Sequence, residues 1–171
     1  RQGKGTQVLA KPLVYPVEAG SAFSQSLSAL GHRVEAQLIE RLRRIGSSEE
    51  CRHLQLPDGS ELLELVTLRL LDGQPLSLIR HRFCISLAPL LADYQGGSLR
   101  QYLAERDLPL TRTFSLIGAR LPSREEAAHL LMPRHAPLLS VLTLSRDPAG
   151  RAVELAQSSS RADRFQYQVA T

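Results

Sequence analysis

Several residue types that help to classify a protein are scarce in this chain. Its 171 residues contain no Trp, one Met and two Cys, and aromatic residues make up only 5%. Two cysteines, Cys51 and Cys84, are too few for a disulfide framework, and no apolar run approaches the length of a membrane-spanning helix. Because no signal peptide is evident either, the sequence predicts a reduced, cytoplasmic protein with no membrane contact.

Lysine is scarce as well, although the chain is basic. Of the 21 Lys and Arg residues only Lys4 and Lys11 are lysines, and the formal net charge is +4. That charge is too small for a surface that coats nucleic acid. Arginine suits planar recognition of carboxylate or phosphate, although a genomic codon bias gives the same count. With 43% hydrophobic residues, a chain of this length is expected to form one well-buried core.

The first thirty residues are rich in turn signals. Gly3 and Gly5 around Lys4 permit a tight reversal, so RQGKGTQV predicts the tip and return strand of a small hairpin. A basic tip suits a phosphate backbone, and a cloning remnant or a flexible tail fits the same residues. Residues 11–20 predict an extended connector, and SAFSQSLSALG (21–31) predicts a short amphipathic helix.

The segment that follows, residues 34–45, has an ambiguous pattern. Val34, Leu38, Leu42 and Ile45 lie at helical spacing, while Val34, Ala36 and Leu38 also alternate as in a strand. Periodicity alone favours a helix here.

The most informative feature is an internal repeat. Residues 49–68 (EECRHLQLPDGSELLELVTL) align without gaps to residues 125–144, with nine of twenty positions identical. Roughly two identities are expected from so Leu-rich a composition. Ser47 and Ser123 precede the two copies at the capping-box spacing, which predicts that each copy begins with a short helix.

Each copy of the repeat then predicts a β-hairpin. A Pro turn leads into an apolar strand, which meets a reversal at residues 72–73 in the first copy and 147–150 in the second. Two such halves predict an α+β fold, with an antiparallel β-sheet, helices packed against it and an internal duplication. A small-molecule cleft is expected where the halves face each other.

Arg69 is an unusual residue for the strand in which it lies. Leucines occupy both faces of residues 62–71, and an unpaired buried guanidinium is costly. Arg69 either pairs with a carboxylate such as Glu64 or Asp72, or it binds an anionic ligand. The pattern alone favours neither.

The returning strand carries more basic residues. Arg80 and Arg82 share one face and His81 lies on the other, with Arg82 expected to be solvent-exposed. His81 and Cys84 form a lone H-x-x-C, which supplies too few ligands for a metal. No Ser/His/acid or Cys/His arrangement is evident, so the sequence predicts no catalytic site, no metal site and no cofactor.

Two further regions carry polar groups. Ser98 follows two glycines and occupies the N-cap position of a predicted helix, with Gln101 at the capping-box spacing. Glu154, Ser158 and Ser160 alternate on one face of the last predicted hairpin, where they suit a polar ligand or water.

Several blocks of the sequence together resemble a known family. RQGKGTQV, FSQSLSALGH, LRLLDGQPLSLIRHRF and VELAQSSSRADRFQYQV, in this order, are similar to the effector-binding UTRA domain of GntR-superfamily transcription regulators of the HutC branch. The resemblance implies that residues 1–20 are the end of a DNA-binding wing and a connector, and that residues 21–171 are the ligand-sensing domain. It also implies a chorismate-lyase-like fold in which residues 34–44 form a strand.

The same resemblance implies partners. A homodimer would bind operator DNA through a winged helix-turn-helix domain that precedes this chain, and a small anionic effector would modulate that binding. The residues that would hold the effector are Ser24, Arg69, Ser98, Glu154 and Ser160, with Phe23, Thr67 and Arg80 as further candidates.

Three departures from the family pattern bear on the effector. Thr67 replaces a second arginine, Ile79 replaces a glutamate and Ser160 replaces an aromatic residue of sugar-phosphate-sensing relatives. They favour a smaller anion, such as a phosphonate or a phosphate-like group, and a repressor of phosphonate uptake and metabolism. The alternatives are a lyase-like enzyme on the same fold, or a dimerisation module with a vestigial pocket.

Overall fold

The computed structural model describes residues 12–16 and 31–169. The predicted hairpin tip, the helix over 21–31 and the candidates Phe23 and Ser24 lie outside the described residues. The described elements, in chain order, are β1 (Leu13–Pro16), β2 (Val34–Ile45), α1 (Ser48–His53), β3 (Glu61–Leu71), β4 (Gln74–Cys84), a 3-10 turn (Ile85–Leu87), α2 (Ala88–Leu91), α3 (Leu99–Ala104), β5 (Thr111–Arg120), α4 (Arg124–Leu130), β6 (Leu138–Arg146), β7 (Ala152–Arg161) and β8 (Phe165–Gln168).

Six strands form one antiparallel sheet in the order β2-β3-β4-β7-β6-β5. Each half of the molecule has the sequence strand, helix, strand, strand, and the two halves meet where β4 pairs with β7. The strand order is therefore symmetric about that seam. The predicted α+β fold with an internal duplication is confirmed.

Both repeat copies begin as predicted. Ser47 and Ser123 are the N-caps of α1 and α4, and each forms a complete capping box with Glu50 or Glu126. The first hairpin turns at Asp72 and Gly73, whose φ values of +50° and +81° are those of the tight turn that Asp-Gly favours.

β2 corrects the prediction made from periodicity. Val34–Ile45 is a strand, so the helix favoured by spacing alone is wrong and the strand implied by the family resemblance is confirmed. A register shift between Leu38 and Glu40 inserts Ile39 as an extra residue. Because a bulge moves the residues after it to the other face, the apolar positions of β2 do not alternate along its full length.

The helices divide between the two faces of the sheet. On the side called here the helix face, α4 packs on Val66 and Leu78, and residues following α1 pack on Leu62 and Leu155. On the other side, the cavity face, α2 and α3 cover one end of the sheet through a cluster that includes Leu65, Phe83, Leu91, Tyr94 and Leu103. Among the described elements, α2 and α3 are the helices on this face, and the rest of it borders a cavity.

Arg82 corrects a second prediction. It is not exposed: only 9% of its surface is accessible, on the helix face, where its Nε lies 3.1 Å from Glu50 and 3.4 Å from Glu64. Buried carboxylates on α1 and β3 supply the countercharge that the sequence pattern does not reveal.

A separate pair of strands joins the two ends of the described chain. β1 pairs with β8 in parallel, from Leu13 opposite Phe165 to Pro16 opposite Gln168. Phe165 and Leu76 form a small buried cluster beneath this pair. The segment expected to follow the wing therefore includes β1, which pairs with β8, the last of the described strands.

Candidate functional site

A cavity of about 460 Å³ lies on the cavity face, across the seam between the halves. Thr67 of β3 and Thr143 of β6, which are matched positions of the repeat, both line it. Residues of β2, β4, β5, β7, β8 and the start of α3 complete its wall. The cleft predicted where the halves face each other is present.

The cavity has a basic lining. Arg69, Arg100 and Arg112 contribute to its wall, together with the buried Glu154. Among the described residues, arginine is the more frequent charged residue of this wall, which favours an anionic ligand. Burial alone would raise the pKa of Glu154, but the hydrogen bond from His81 and the charges of Arg100 and Arg112 hold that pKa below its ordinary value.

Three side chains of the cavity form a hydrogen-bonded row. His81 Nε2 lies 3.1 Å from Thr67 Oγ1, and His81 Nδ1 lies 2.6 Å from Glu154 Oε2. The three residues come from the neighbouring strands β3, β4 and β7 and point to the same face. The row therefore fixes the orientation of the imidazole in the cavity wall.

The start of α3 is held against β2 by close backbone contact. The amide of Gly97 donates to the Ala36 carbonyl at 2.8 Å, and the hydroxyl of Tyr94 donates to the Gly97 carbonyl. A Cβ on Gly96, whose φ is +138°, would come within 2.9 Å of the Ala36 oxygen. Glycine at this position thus lets Ser98 reach the cavity wall.

Ser98 caps α3, as predicted, because its hydroxyl oxygen accepts from the Gln101 amide at 3.2 Å. The Gln101 side chain lies 3.4 Å from Glu105 instead of completing a capping box. The Ser98 hydroxyl hydrogen is thus available to a further acceptor.

The structure brings four of the predicted ligand residues together. Arg69, Thr67, Ser98 and Glu154 all line the cavity. Ser160 is fully buried next to it, 2.6 Å from Ser77 Oγ and 3.4 Å from the Oγ of the cavity residue Ser158. It supports the wall instead of forming it.

Arg80 does not belong to this site. It lies on the helix face, where its guanidinium contacts Glu64 at 3.1 Å and Glu125 at 3.2 Å. Because alternate residues of a strand point to opposite faces, the neighbour of a cavity histidine points away from the cavity. The position of Arg80 therefore contradicts its selection as a ligand residue.

Several residues of the cavity were not selected from the sequence. They are His81, Tyr94, Arg100, Arg112, Ser115 and Tyr167. For His81 a signal was available, because alternation placed it on the strand face opposite Arg80. Arg100, Arg112 and Tyr167 belong to elements whose placement beside the cavity depends on long-range pairing. Burial raises the pKa of Tyr94 to about 12, so its phenol is a neutral hydrogen-bonding group at physiological pH.

Among residues 12–16 and 31–169, no group of three or more His, Cys, Asp or Glu side chains is arranged to hold a metal ion. None of the helices in these ranges is long and apolar enough to span a bilayer.

Comparisons with known proteins agree with the fold. The UTRA domain model matches residues 29–166. The chain is 34% identical over 170 residues to a protein of Escherichia coli strain K12 named probable transcriptional regulator PhnF, covering 98% of this chain and 70% of that protein.

Solved structures give the same result. A PhnF C-terminal domain is 30% identical with a TM-score of 0.74, covering 91% of this chain and 99% of that one. The effector domain of PhnF from Mycobacterium smegmatis shares the fold, with a TM-score of 0.84, 23% identity and coverage of 93% and 99%. The chain belongs to the UTRA domain family and is the effector-binding domain of a GntR-type transcriptional regulator of the HutC branch.

Proposed function

We propose that this domain binds a small phosphonate or a related phosphate-like anion, and that the regulator is a cytoplasmic repressor of phosphonate uptake and metabolism. The observation that carries the proposal is the basic cavity, in which Arg69 is one of three arginines among the described lining residues. A volume of about 460 Å³ is within the range of small-molecule sites. Similarity to a protein named PhnF supports the same ligand class.

The wall of the cavity favours a compact anion. Thr67 and Ile79 line it at the two positions where sugar-phosphate-sensing relatives are expected to carry an arginine and a glutamate. The hydroxyl groups of Ser98, Thr143 and Ser158 add donors that suit phosphonate oxygens. A cavity that retains this many charged and polar groups supports a sensor over a vestigial pocket.

Binding is proposed to control operator DNA through a winged helix-turn-helix domain that precedes this chain. A ligand shifts an equilibrium only by its differential affinity for the two states, so the phosphonate must bind the DNA-bound and DNA-free forms unequally. Paired half-sites require a symmetric protein, which supports a homodimer.

Melting curves of this domain test the proposal. Methylphosphonate, 2-aminoethylphosphonate and inorganic phosphate are expected to raise the melting temperature, and a ligand at a hundred times its Kd adds about 2.7 kcal/mol of stability. Acetate and glucose 6-phosphate, as controls, are expected to raise it less. The proposal is wrong if no phosphonate or phosphate stabilises the domain, and turnover of chorismate would favour the lyase-like alternative.

A further inference from the structure

Two buried polar side chains of the cavity wall lie side by side on neighbouring strands. Glu154 of β7 is directly opposite Ser145 of β6 in the sheet register, and both residues line the cavity. Ser145 is 1% exposed, and the side chain of Glu154 is 13% exposed. Polar groups buried to this extent normally have hydrogen-bond partners, so the partners of this pair decide what the pair can do.

Both side chains retain an oxygen that can accept a hydrogen bond. Glu154 Oε2 lies 2.6 Å from His81 Nδ1, whereas Oε1 accepts no hydrogen bond from the residues that the structure describes. Within residues 12–16 and 31–169, the Ser145 hydroxyl likewise forms no hydrogen bond. A ligand group that completes this pair must therefore donate hydrogen bonds to both oxygens.

The charge of Glu154 favours a cationic donor. Burial alone would raise the pKa of its carboxyl, but the hydrogen bond from His81 and the charges of Arg100 and Arg112 hold that pKa below its ordinary value. A buried carboxylate is costly unless it is paired and hydrogen-bonded, and charge-assisted hydrogen bonds are about twice as strong as neutral ones. A primary ammonium group has three donors, which is enough for Glu154 Oε1 and the Ser145 hydroxyl together.

An arginine lies on the other side of Ser145. Arg112 of β5 is opposite Ser145 in the register of β5 and β6, and it lines the same cavity. Neighbouring strands are about 4.8 Å apart, so the backbones at Arg112 and Glu154 are separated by about 10 Å, a span that their side chains shorten. A short ligand with an anionic end and an ammonium end can therefore contact an arginine and Glu154 at the same time.

We propose that the ligand of this cavity is an aminoalkylphosphonate, and that Glu154 Oε1 and the Ser145 hydroxyl bind its primary ammonium group. The inference rests on the proposed function, because it concerns the same cavity and narrows the same ligand class. It makes Glu154 and Ser145 specificity-determining residues, which select phosphonates that carry an amine over those that do not.

Calorimetric titration of this domain at pH 7.5 tests the inference with three phosphonates of equal chain length. 2-Aminoethylphosphonate carries the ammonium group, 2-hydroxyethylphosphonate carries a neutral donor and propylphosphonate carries a methyl group in the same place. We expect 2-aminoethylphosphonate to bind about ten- to a hundredfold more tightly than propylphosphonate, with 2-hydroxyethylphosphonate between them. Equal affinities for the amino and hydroxyl compounds would overturn the assignment of an ammonium group.

Variants separate the contact with the amine from other differences between the ligands, including the charge of the phosphonate itself. The quantity compared is the Kd of propylphosphonate divided by the Kd of 2-aminoethylphosphonate. Glu154→Gln keeps an acceptor for His81 but removes the charge, so this ratio is expected to fall about tenfold or more. Ser145→Ala removes one acceptor and is expected to lower the ratio about threefold. Glu61→Gln, at an exposed position of β3 outside the cavity wall, is the matched control and is expected to keep the ratio.

The remaining outcomes separate this inference from the proposed function. If the phosphonates bind but the ratio is the same in the unmodified domain and in both cavity variants, the inference is overturned and the proposed function stands. If none of the three phosphonates binds, both are overturned. If Glu154→Gln does not fold, Ser145→Ala decides, because removing a hydroxyl that has no partner among the described residues leaves no other group there unpaired. An unchanged ratio in that variant then overturns the inference.

Discussion

At the scale of single residues, Arg69 is the side chain on which the proposed anion site depends most. It shares the cavity face of β3 with Thr67, and both line the cavity. Charge-assisted hydrogen bonds are worth about 1.5–3 kcal/mol, so Arg69→Ala is expected to weaken methylphosphonate binding by about ten- to a hundredfold. Calorimetric titration of the variant and the unmodified domain measures the loss.

The control for lost positive charge is Arg134→Ala, because Arg134 is exposed and lies outside the cavity wall. Arg82 does not serve, since its removal would leave the carboxylates of Glu50 and Glu64 without one of their partners. If Arg69→Ala strongly lowers the melting temperature while the folded variant binds methylphosphonate as tightly as the unmodified domain, Arg69 is a structural ion-pair partner and the anion is held elsewhere.

Alternation made Arg69 conspicuous on an apolar strand and placed Glu154 on a polar strand face, and the family resemblance then selected both as ligand residues. The sequence was not sufficient to select His81 as their partner. The row depends on β4 pairing with both β3 and β7, and residues 81 and 154 are far apart in the chain. Alternation assigns a side chain to a face but does not identify the strand that lies beside it.

At the scale of elements, the repeat contains a duplicated ion pair. Arg44 donates two hydrogen bonds to Glu50, at 2.8 and 2.6 Å, and Arg120 donates two to Glu126, both at 2.6 Å. The same glutamates complete the capping boxes of α1 and α4. Each pair therefore anchors the start of a helix to the end of the preceding strand. The spacing of the serines predicted both helix starts. The two arginines precede the aligned segments, so the repeat did not select them. Arg44 also lies on β2, the strand that periodicity predicted to be a helix.

These pairs predict a stability loss in acid. Hydrogen bonds from Arg44 hold the pKa of Glu50 at about 2, and the pKa of Glu126 is also about 2, because bonds from Arg120 and Ser123 outweigh its burial. A carboxyl whose folded pKa lies below its unfolded value stabilises the fold above the unfolded value, and loses that contribution as the pH falls toward the folded value. We therefore expect the melting temperature to fall between about pH 4.5 and pH 2.

Glutamine substitutions test the origin of this loss. Glu50→Gln and Glu126→Gln are expected to lower the melting temperature at pH 7 and to flatten its dependence between pH 4.5 and pH 2, because the ionised partner is gone. Glu61→Gln, at an exposed position, is the control and is expected to follow the unmodified domain. Melting curves that decline in parallel for all four proteins would show that other groups cause the acid sensitivity.

At the scale of the whole molecule, the duplication explains where the cavity lies. Two similar halves place matching threonines, Thr67 and Thr143, on the same face of the sheet, one on each side of the seam, and the cavity spans both. The repeat in the sequence was sufficient to predict this position. It did not predict the pairing of β1 with β8, because four-residue strands joined across most of the chain carry little local signal. Tyr167 of β8 nevertheless lines the cavity, and β8 pairs with β1, the strand expected to follow the wing.

The edges of the six-stranded sheet support the proposed homodimer. Within the described residues, β5 pairs with β6 alone, and its middle carries two exposed apolar side chains, Leu116 at 58% and Ile117 at 47%. An exposed apolar edge strand is a template for pairing, and antiparallel pairing of a strand with its own copy generates a twofold axis. We therefore propose that the second copy of the domain pairs at β5.

The last prediction follows from that edge. Ile117→Lys places a charge next to its own copy across the twofold, and charged side chains on an edge strand discourage pairing, so the variant is expected to sediment as a monomer at tens of micromolar where the unmodified domain sediments as a dimer. Ile45→Lys is the matched control, because Ile45 is 63% exposed on β2 at the opposite edge, and it is expected to remain dimeric. A monomeric Ile45→Lys variant beside a dimeric Ile117→Lys variant would move the interface to β2. An unmodified domain that is monomeric at that concentration would instead place dimerisation in the DNA-binding part of the regulator.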